Sequence, residues 1–323
     1  MAPPAEPTAK PTVKPSRGRL FVVGSANMDL VIRAPVLPTA GETVVGSDLV
    51  QTPGGKGANQ SVAAARLGAP VAFVGNVGDD AFGAALRGAL VTAGVDTSWL
   101  RVNKERPSGV ALIVVDALGE NLIAVAPGAN GALSVEQVET ALGDLGASDL
   151  VLAQLEVPLD AVGAAARLAR RRGARLVLNV APAQPVPAAL LESAWGLVLN
   201  ASEAALFSGV ADPTMAVTAL RRRGPELVIV TLGGDGLLLA TPDGLTDIAA
   251  YPVDVVDTTA AGDAFCGAFA AALLDGQAPD SAARFAAMAG ALATTKLGAQ
   301  ASLPRRADVE ARLTRPGQPE SHT

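Results

Sequence analysis

The residue types best suited to chemistry occur together in the segment Asp-Thr-Thr-Ala-Ala-Gly-Asp at positions 257–263. The apolar run Val253 to Val256 predicts a strand that ends just before this segment, and Ala261 to Leu274 predict an apolar helix after it. Small residues let backbone approach a ligand closely, and the N–H groups of a first helical turn bind phosphate or a developing oxyanion. Asp263 could therefore take a proton from an alcohol while those donors hold the transferring group. The alternative interpretation is that Asp263 is only a negative charge at a helix N-terminus, with Gly262 as a turn residue.

A second candidate segment, Pro-Gly-Gly-Lys-Gly-Ala-Asn-Gln at 53–60, places three glycines and a lysine ahead of a predicted helix. It is not a common nucleotide-phosphate loop, because neither GxxxxGK[ST] nor GxGxxG occurs in the chain. Backbone donors, the ammonium group of Lys56 and the amide of Asn59 suit a polyol with several hydroxyls. The alternative interpretation is a tight turn with a solvated lysine.

Further polar residues follow three predicted strands at the end where ligands gather in open α/β sheets. Asn27 and Asp29 come after the first strand and could present an amide and a carboxylate to sugar hydroxyls; an Asx-type turn is the alternative. Residues 200–203 and 231–236 occupy equivalent places after later strands. Residues 200–203 also fit an ordinary helix start.

The elements that would position these residues alternate between short apolar runs and longer helical patterns, which predicts βαβ units and a mainly parallel sheet. The predicted strands are 20–23, 71–74, 150–154, 175–179, 196–200 and 227–231. The predicted helices are 57–67, 80–93, 158–172, 214–223, 261–274 and 281–295.

Two stretches, Leu30 to Val50 and Ser108 to Ala126, break this alternation because they hold β-type runs with no helix between them. The runs are Val31-Ile32, Thr43 to Val45, Val110 to Val115 and Leu122 to Val125. Together they predict a small separate sheet. It would act as a lid over a ligand site or merely extend the main sheet.

Composition narrows the class of protein. The chain has 323 residues, half of them hydrophobic, with a formal net charge of −6, and this charge argues against nucleic-acid binding. The one cysteine, Cys266, excludes an intramolecular disulfide and fits a reducing cytoplasm. The one histidine, His322, lies in a polar tail, so a general base would be a carboxylate, with a lysine or the cysteine as less favoured alternatives. No apolar stretch approaches the ~20 residues that span a bilayer, so no membrane association is expected.

The two main segments together resemble the signatures of the PfkB-type, or ribokinase-type, carbohydrate kinases. They are Gly-Gly-Lys-Gly-Ala-Asn at 54–59 and the segment at 257–263, and their joint occurrence in order is more specific than either alone. The resemblance runs from about Arg19 to Leu313. Shorter segments also carry it: 24–29, 128–130, 154–156 and 298–300.

The resemblance implies an α/β fold with a central, mostly parallel sheet flanked by helices, and a small β lid from about 30–50 and 108–126. It divides the chain into a disordered leader (1–18), a kinase domain (19–314) and a flexible tail (315–323). The implied activity is ATP-dependent phosphorylation of the 5-hydroxyl of D-ribose, with Asp263 as catalytic base, in a homodimer that pairs through the lid.

The resemblance also assigns ligands to residues. The sugar would be held by Asn27, Asp29, Gly55, Lys56, Gly57, Ala58, Asn59, Glu156 and Asp263. ATP with Mg²⁺ or another divalent cation would lie against Asn200, Glu203, Thr231, Leu232, Gly233, Gly234, Asp235, Gly236, Gly262, Asp263 and Ala287. An activating K⁺ would lie near Asp257, Thr259, Ala293, Lys296, Gly298 and Ser302. Ala287 departs from the family, in which many members carry Asn or His against the nucleotide.

Two alternatives stay open. One is a kinase for another small sugar or a nucleoside, such as 2-deoxyribose, fructose or adenosine. A sugar-phosphate kinase should carry added basic residues near the lid, and none is obvious between Leu30 and Val50. The other is a catalytically idle sugar-binding protein on the same fold. The intact pair Gly262-Asp263 speaks against it.

Overall fold

The computed structural model describes residues 18–314. The predicted leader lies outside them except for Gly18, which is buried, and the predicted tail (315–323) lies outside them as well.

The strands are β1 Leu20–Val23, β2 Asn27–Arg33, β3 Val50–Gly54, β4 Val71–Gly78, β5 Leu100–Asn103, β6 Gly109–Val115, β7 Asn121–Ala126, β8 Leu150–Ala153, β9 Arg175–Asn179, β10 Gly196–Asn200, β11 Leu227–Thr231, β12 Leu237–Thr241 and β13 Gly244–Ile248. The helices are α1 Lys56–Arg66, α2 Ala81–Thr92, α3 Val135–Ala141, α4 Leu159–Arg172, α5 Ala188–Ser193, α6 Ala201–Ser208, α7 Pro213–Arg221, α8 Ala261–Leu274, α9 Pro279–Ala293, α10 Ala299–Ser302 and α11 Arg306–Leu313. Short 3₁₀ helices span Gly128–Ala132 and Gly233–Asp235.

The large sheet has the strand order β13-β12-β11-β10-β9-β8-β1-β4-β5. Its strands pair in parallel from β5 to β11, and β12 and β13 add an antiparallel hairpin at the edge. Both faces are covered, as a parallel sheet requires. In β1 the side chains of Leu20 and Val22 pack into one core and those of Phe21 and Val23 into the other.

Helices on opposite faces of the sheet fill these two cores. The core that contains Leu20 is filled by α1, α2, α8, α9 and α11, and the core that contains Phe21 by α3 to α7. This arrangement confirms the predicted α/β class. It also places the N-termini of α1 and α8 side by side, since these two helices pack directly against each other. In the described part of the chain no helix is long and apolar enough to span a membrane.

A separate four-stranded sheet has the order β3-β2-β6-β7. Strand β2 pairs in antiparallel fashion with β3 and in parallel with β6, and β6 pairs in antiparallel fashion with β7. This confirms the predicted small sheet. Strand β2 begins only four residues after β1 ends, so the chain passes directly from the large sheet into the small one at Asn27.

Two predicted strands are wrong. Thr43 to Val45 form no strand, and Val45 is 85% exposed; the strand that pairs with β2 is instead β3, which leads into the 53–60 segment. Val253 to Val256 form no strand either. Val255 and Val256 are exposed, and the amide of Val256 donates to the carbonyl of Thr294 at the end of α9 rather than to a neighbouring strand.

Candidate active site

The N-termini of α1 and α8 face each other, and they bring Asp263 against the 53–60 segment. The carboxylate of Asp263 accepts a hydrogen bond on each oxygen: Oδ2 from Nδ2 of Asn59 at 3.0 Å and Oδ1 from Nε2 of Gln60 at 2.9 Å. Asp263 is 8% exposed. The two segments that carried the sequence prediction therefore meet at one carboxylate, although more than two hundred positions separate them.

The glycines of the 53–60 segment allow it to lie directly on the chain between β1 and β2. Gly55 has a φ of 87°, and a Cβ there would lie 2.6 Å from the amide nitrogen of Asn27. A Cβ at Gly57 would lie 2.6 Å from the amide nitrogen of Ser25. The amide of Ala58 donates to the carbonyl of Ser25 at 2.8 Å. Any larger residue at Gly55 or Gly57 would push α1 away from the strand end.

Asp29 lies inside β2, paired with Thr52 and Ala111, so it is not the capping residue of an Asx turn. Its carboxylate packs over Gly54, where a Cβ would collide with both carboxylate oxygens. Burial raises the pKa of Asp29 to about 7, and the charges of Glu156 and Asp263 add to that rise. A buried carboxylate in such surroundings gains strongly from hydroxyl donors.

Glu156 holds the start of α1 and the start of β2 together. Its Oε2 accepts from Oγ of Ser25 at 2.5 Å, from the amide of Lys56 at 3.1 Å and from Nδ2 of Asn27 at 3.5 Å. Oδ1 of Asn27 accepts from Nδ2 of Asn130 at 2.7 Å. Asn27 and Glu156 therefore lie beside the other predicted sugar ligands, and both already bind protein groups.

Lys56 carries the positive charge of this region. Burial acts against its charged form, but the carboxylates of Asp263, Glu156 and Glu203 together raise its pKa. Burial likewise raises the pKa of Asp263, while the charge of Lys56 and the hydrogen bonds from Gln60 and Asn59 act in the opposite direction. Burial also raises the pKa of Cys266 well above its ordinary value. The cysteine is therefore a neutral core residue.

Five of the predicted nucleotide residues line an open cavity of about 440 Å³ at the carboxyl ends of β10 and β11, whereas Glu203, Gly234, Gly236, Gly262, Asp263 and Ala287 are not part of its lining. Gly233 and Gly236 have φ angles of 61° and 94°, and the amide of Leu232 closes the turn by donating to the carbonyl of Gly236. Added Cβ atoms at Gly233 and Gly234 would meet no atom within 4 Å. The cavity lining is Asn200, Ala201, Ser202, Pro213, Thr231, Leu232, Gly233 and Asp235.

Glu203 belongs to a capping box at the start of α6, as the alternative interpretation of residues 200–203 predicted. The amide of Asn200 donates to Oε2 of Glu203, and the amide of Glu203 donates to Oδ1 of Asn200. Burial raises the pKa of Glu203, whereas the bond from Asn200 and the charge of Lys56 oppose the rise. Asn200, Ala201 and Ser202 nevertheless line the cavity, so capping and ligand binding are compatible in this segment.

Helix α8 begins with an exposed backbone. Its N-cap residue, Ala260, has a φ of 60° and no polar side chain to bond the first amides of the helix. A Cβ at Gly262 would meet no atom within 4 Å. The first turn of α8 therefore presents backbone donors to open space beside Asp263, which suits an anion.

Asp257 joins two loops of the predicted potassium site. Its Oδ1 accepts from the amide of Thr259 at 2.9 Å and its Oδ2 from the amide of Gly298 at 2.8 Å. Burial would raise the pKa of Asp257, but these hydrogen bonds outweigh it and lower the pKa. The structure thus brings Asp257, Thr259 and Gly298 together. Ser302 is buried nearby in sequence, in α10, whereas Lys296 is exposed.

Two predicted residues lie on α9. Ala293 is its last residue and is buried, while Ala287 is half-buried. One turn after Ala287, a Cβ at Gly290 would lie 3.2 Å from the carbonyl oxygen of Ala261. Helix α9 therefore passes beside the start of α8, and Ala287 lies one turn before that contact.

Sequence reasoning missed four amide side chains that support the site: Gln60, Asn130, Gln154 and Asn179. All are 9% exposed or less and are hydrogen-bonded to one another or to site residues. Gln60 ends the 53–60 segment, and Asn130 and Gln154 belong to short segments that carry the resemblance, but nothing in the sequence marks these side chains as partners of the site. Their partners lie up to 203 positions away, as with Gln60 and Asp263.

Comparison with known proteins places this chain among the carbohydrate kinases. Residues 17–306 match the family described as pfkB family carbohydrate kinase. The chain belongs to this family.

Individual relatives agree. The chain is 41% identical over 298 residues to the ribokinase of Haemophilus influenzae, which covers 91% of this chain and 97% of that protein. The crystal structure of ribokinase from Thermotoga maritima is similar with a TM-score of 0.85 and 34% identity, covering 92% of this chain and 99% of that one. The structure of Arabidopsis thaliana ribokinase complexed with ribose and ATP has a TM-score of 0.82 and 33% identity, covering 92% and 98%.

Proposed function

We propose that this protein is a sugar kinase that transfers the γ-phosphoryl group of ATP to the 5-hydroxyl of D-ribose, giving ribose 5-phosphate and ADP. The observation that carries the proposal is the position of Asp263. It lies in the first turn of α8, bonded by Asn59 and Gln60 of α1, within electrostatic reach of Asp29 and Lys56 and next to the open backbone at Gly262. The similarity to a ribokinase complexed with ribose and ATP supports ribose as acceptor and ATP as donor.

In the proposed reaction the sugar lies against Asp29, Lys56 and Asn59, with its reacting hydroxyl at Asp263. The hydroxyl proton goes to the carboxylate of Asp263, and the hydroxyl oxygen forms a bond with the γ-phosphorus. The bond from that phosphorus to the β–γ bridging oxygen breaks, and ADP leaves with the electron pair. Backbone amides of Gly262 and its neighbours stabilise the charge on the transferring oxygens, which is the main task in phosphoryl transfer.

A divalent cation would be held mainly by the phosphates of ATP. Mg²⁺ in such sites takes one or two carboxylates and keeps several waters. Within residues 18–314 no cluster of three or more His, Cys, Asp or Glu side chains could hold a metal ion by itself. Asn200 lines the nucleotide cavity and Glu203 is bonded to it in the capping box, so these two residues fit the smaller requirement and would orient the cation that neutralises phosphate charge. Turnover should therefore stop when a chelator removes divalent cations.

A monovalent cation would order the loop beside the anion site. The carboxylate of Asp257 already fixes the loops at 259 and 298 relative to each other. Oxygen ligands from this region suit K⁺, with Ala293, Lys296 and Ser302 contributing through their backbone or hydroxyl oxygens. The measurement is the turnover rate in potassium and in sodium buffers. Equal rates in the two would remove this part of the proposal.

The small sheet would close over the sugar and pair with a second copy of the chain. Strand β7 is exposed along its whole length, and Leu122, Ile123 and Val125 are about half exposed. The strand register places Ile123, Val125 and Val50 of β3 on one face of the small sheet, and Leu122 and Leu112 of β6 on the other. The face with Ile123 is a candidate interface. Sedimentation analysis should show a dimer, and Ile123→Lys should shift it to monomer.

The decisive experiment for the function is a coupled ATP-turnover assay over a panel of acceptors. We expect ribose to give the highest kcat/KM, above 2-deoxyribose, fructose and adenosine. Ribose 5-phosphate should be the product, identified by its phosphorus–carbon-5 coupling in NMR. A higher kcat/KM for another acceptor would reassign the substrate, and tight sugar binding without ATP consumption would support the idle sugar-binding alternative. The cytoplasmic location stays a prediction that cell fractionation can check.

A further inference from the structure

Next to Asp263, three buried amide side chains form a hydrogen-bonded network. Nε2 of Gln154 donates to Oε1 of Gln60 at 2.6 Å, and Nε2 of Gln60 donates both to Oδ1 of Asn179 at 3.0 Å and to Oδ1 of Asp263 at 2.9 Å. Nδ2 of Asn179 donates to the carbonyl of Val198 at 3.2 Å. Gln60 and Gln154 are fully buried, and Asn179 is 9% exposed.

One backbone carbonyl, that of Val198, sets which atom donates and which accepts in each hydrogen bond between these amide side chains. The carbonyl of Val198 in β10 can only accept, so the amino group of Asn179 must face it. The oxygen of Asn179 must then face Gln60, which turns the amino group of Gln60 toward both Asn179 and Asp263. The oxygen of Gln60 in turn faces the amino group of Gln154. Gln60 consequently presents a donor, never an acceptor, to the carboxylate.

Asn59 and Gln60 bond the two oxygens of Asp263 but have different surroundings. Oδ1 of Asn59 is buried without a protein partner, and Asn59 is one of the proposed sugar ligands. Both atoms of the Gln60 amide are occupied by protein groups, and its side chain has no exposed surface. Gln60 cannot contact the sugar. Its bond to Oδ1 persists when Asn59 turns toward a hydroxyl, leaving Oδ2 to receive a proton.

We propose that Gln60 is a positioning residue that holds Oδ1 of Asp263, keeps the carboxylate ionised and aims Oδ2 at the sugar hydroxyl. The inference rests on the proposed function, because it needs Asp263 to act as the base. Burial raises the pKa of Asp263, and a donor fixed to the carboxylate favours the ionised form and opposes that rise. Without the donor, more of the enzyme would carry a protonated, inactive base.

Other charged groups also face Asp263, and they remain in place when Gln60 is changed. Lys56 at the start of α1 favours the ionised form, Glu156 after β8 and Asp29 in β2 disfavour it, and Cys266 in α8 is neutral. None of them bonds Oδ1 among the described residues. A change at Gln60 therefore tests the bond to Oδ1 with the other charges held constant.

The test is the pH dependence of kcat in Gln60→Met, which keeps length and volume but removes the donor. At saturating ribose and ATP, kcat reports groups in the bound complex. We expect the acid limb of the profile to move up by about one unit, since a bond to a charged group is worth that much. The rate should fall several-fold on the acid limb of the profile and recover at higher pH.

The matched control is Gln137→Met. Gln137 is also a buried glutamine, and its Nε2 donates to the carbonyl of Gly75 at 3.0 Å, away from Asp263. Both variants lose a buried hydrogen bond, so both should melt at lower temperature. Only Gln60→Met should shift the pH profile. If Gln60→Met does not fold, Gln154→Met replaces it, because it frees the oxygen of Gln60 and should give a smaller shift in the same direction.

An active Gln60→Met protein whose acid limb coincides with that of the wild type would overturn the inference, whatever its stability. So would an equal shift in Gln137→Met. Failure of the proposed function has a different signature, which is a wild-type protein that consumes no ATP with ribose. The two results cannot be confused, because the inference is judged only against an active wild type.

Discussion

The sugar side of the candidate site is built from buried polar side chains, whereas the nucleotide side is built from exposed backbone. Asn27, Asp29, Asn59 and Asp263 are each 8% exposed or less. On the other side, residues 233–235 are exposed, and added Cβ atoms at Gly233, Gly234 and Gly262 would meet open space. One half of the site is therefore fixed by interlocking hydrogen bonds before any ligand arrives, and the other half is fixed mainly by turn geometry.

This difference predicts how each half responds to substitution. A buried side chain that bonds a ligand has few acceptable replacements, because removing it leaves ligand groups unpaired in a closed space. Backbone donors stay in place whatever side chain is attached, provided that the turn keeps its shape. Single substitutions on the sugar side should thus have large effects on activity, and those on the nucleotide side should act mainly through conformation.

The largest effect is expected for Asp263→Asn. The amide keeps the size of the carboxylate but cannot take the hydroxyl proton, and loss of a general base lowers the rate by about 10²–10⁴. Ribose binding should remain largely intact. The measurements are kcat and a calorimetric titration with ribose. Wild-type turnover in this variant would remove Asp263 from its assigned role and with it the distinction between the two halves.

The next effect is expected for Asp29→Ala. Each hydrogen bond from a sugar hydroxyl to a charged group contributes about 1.5–3 kcal/mol, so the affinity for ribose should fall at least tenfold while ATP affinity stays the same. The melting temperature at alkaline pH should hold or rise. The reason is that a carboxyl whose pKa is raised in the folded state destabilises that state as pH increases.

Asp149→Ala is the matched control for this experiment. Asp149 is also an aspartate at 8% exposure, but it accepts from the amides of Arg19 and Gly146 and lies outside the candidate site. Its loss should lower stability and leave ribose affinity unchanged. If Asp29→Ala behaves in the same way, Asp29 is a structural residue.

Buried strands of the fold were predictable from the sequence, whereas exposed edge strands were not. Strands β1, β9, β10 and β11 have the predicted bounds because buried parallel strands appear as uninterrupted apolar runs. The hairpin β12–β13 was missed, and β13, Gly244–Ile248, is largely exposed. Thr43 to Val45 resembled a strand in composition, but pairing with β2 is made by β3 instead. The local sequence pattern does not show which neighbouring strand a segment will pair with.

In the site, Asp263, Lys56 and Asn59 were predictable because each belongs to a compact motif. The amide network through Gln60 was not, since its bond to Asn179 joins residues 119 positions apart. Its direction also depends on one backbone carbonyl, that of Val198. Hydrogen bonds between such distant side chains depend on how the strands and helices pack, and they cannot be predicted from a single sequence.

A moderate effect is expected for the pH dependence of ribose binding. The free protein holds Asp29 with a pKa of about 7, and only its ionised form accepts two hydroxyl bonds. Binding therefore releases a proton below that pKa, so the apparent Kd for ribose should rise about tenfold as the pH falls from about 8 to about 6. Asp29→Asn should abolish this slope. A flat profile in the wild type would show that Asp29 is already ionised in the free site.

The smallest effect is expected at Ala260, which tests the backbone-built half. Among residues 18–314 it is the one non-glycine residue with a positive φ, and that conformation costs an L-residue roughly 1–2 kcal/mol. Glycine removes the strain but adds about 0.4–1 kcal/mol of freedom to the unfolded chain. Ala260→Gly should therefore raise the free energy of unfolding by at most about 1.6 kcal/mol, measured by urea denaturation. In the control Ala85→Gly, at an exposed position inside α2, stability should fall by about 1 kcal/mol.

If kcat of Ala260→Gly stays within about twofold of the wild type, turn geometry alone sustains the nucleotide side. A large loss of kcat in Ala260→Gly, with stability unchanged, would mean that the strained alanine itself holds the anion site in its working shape.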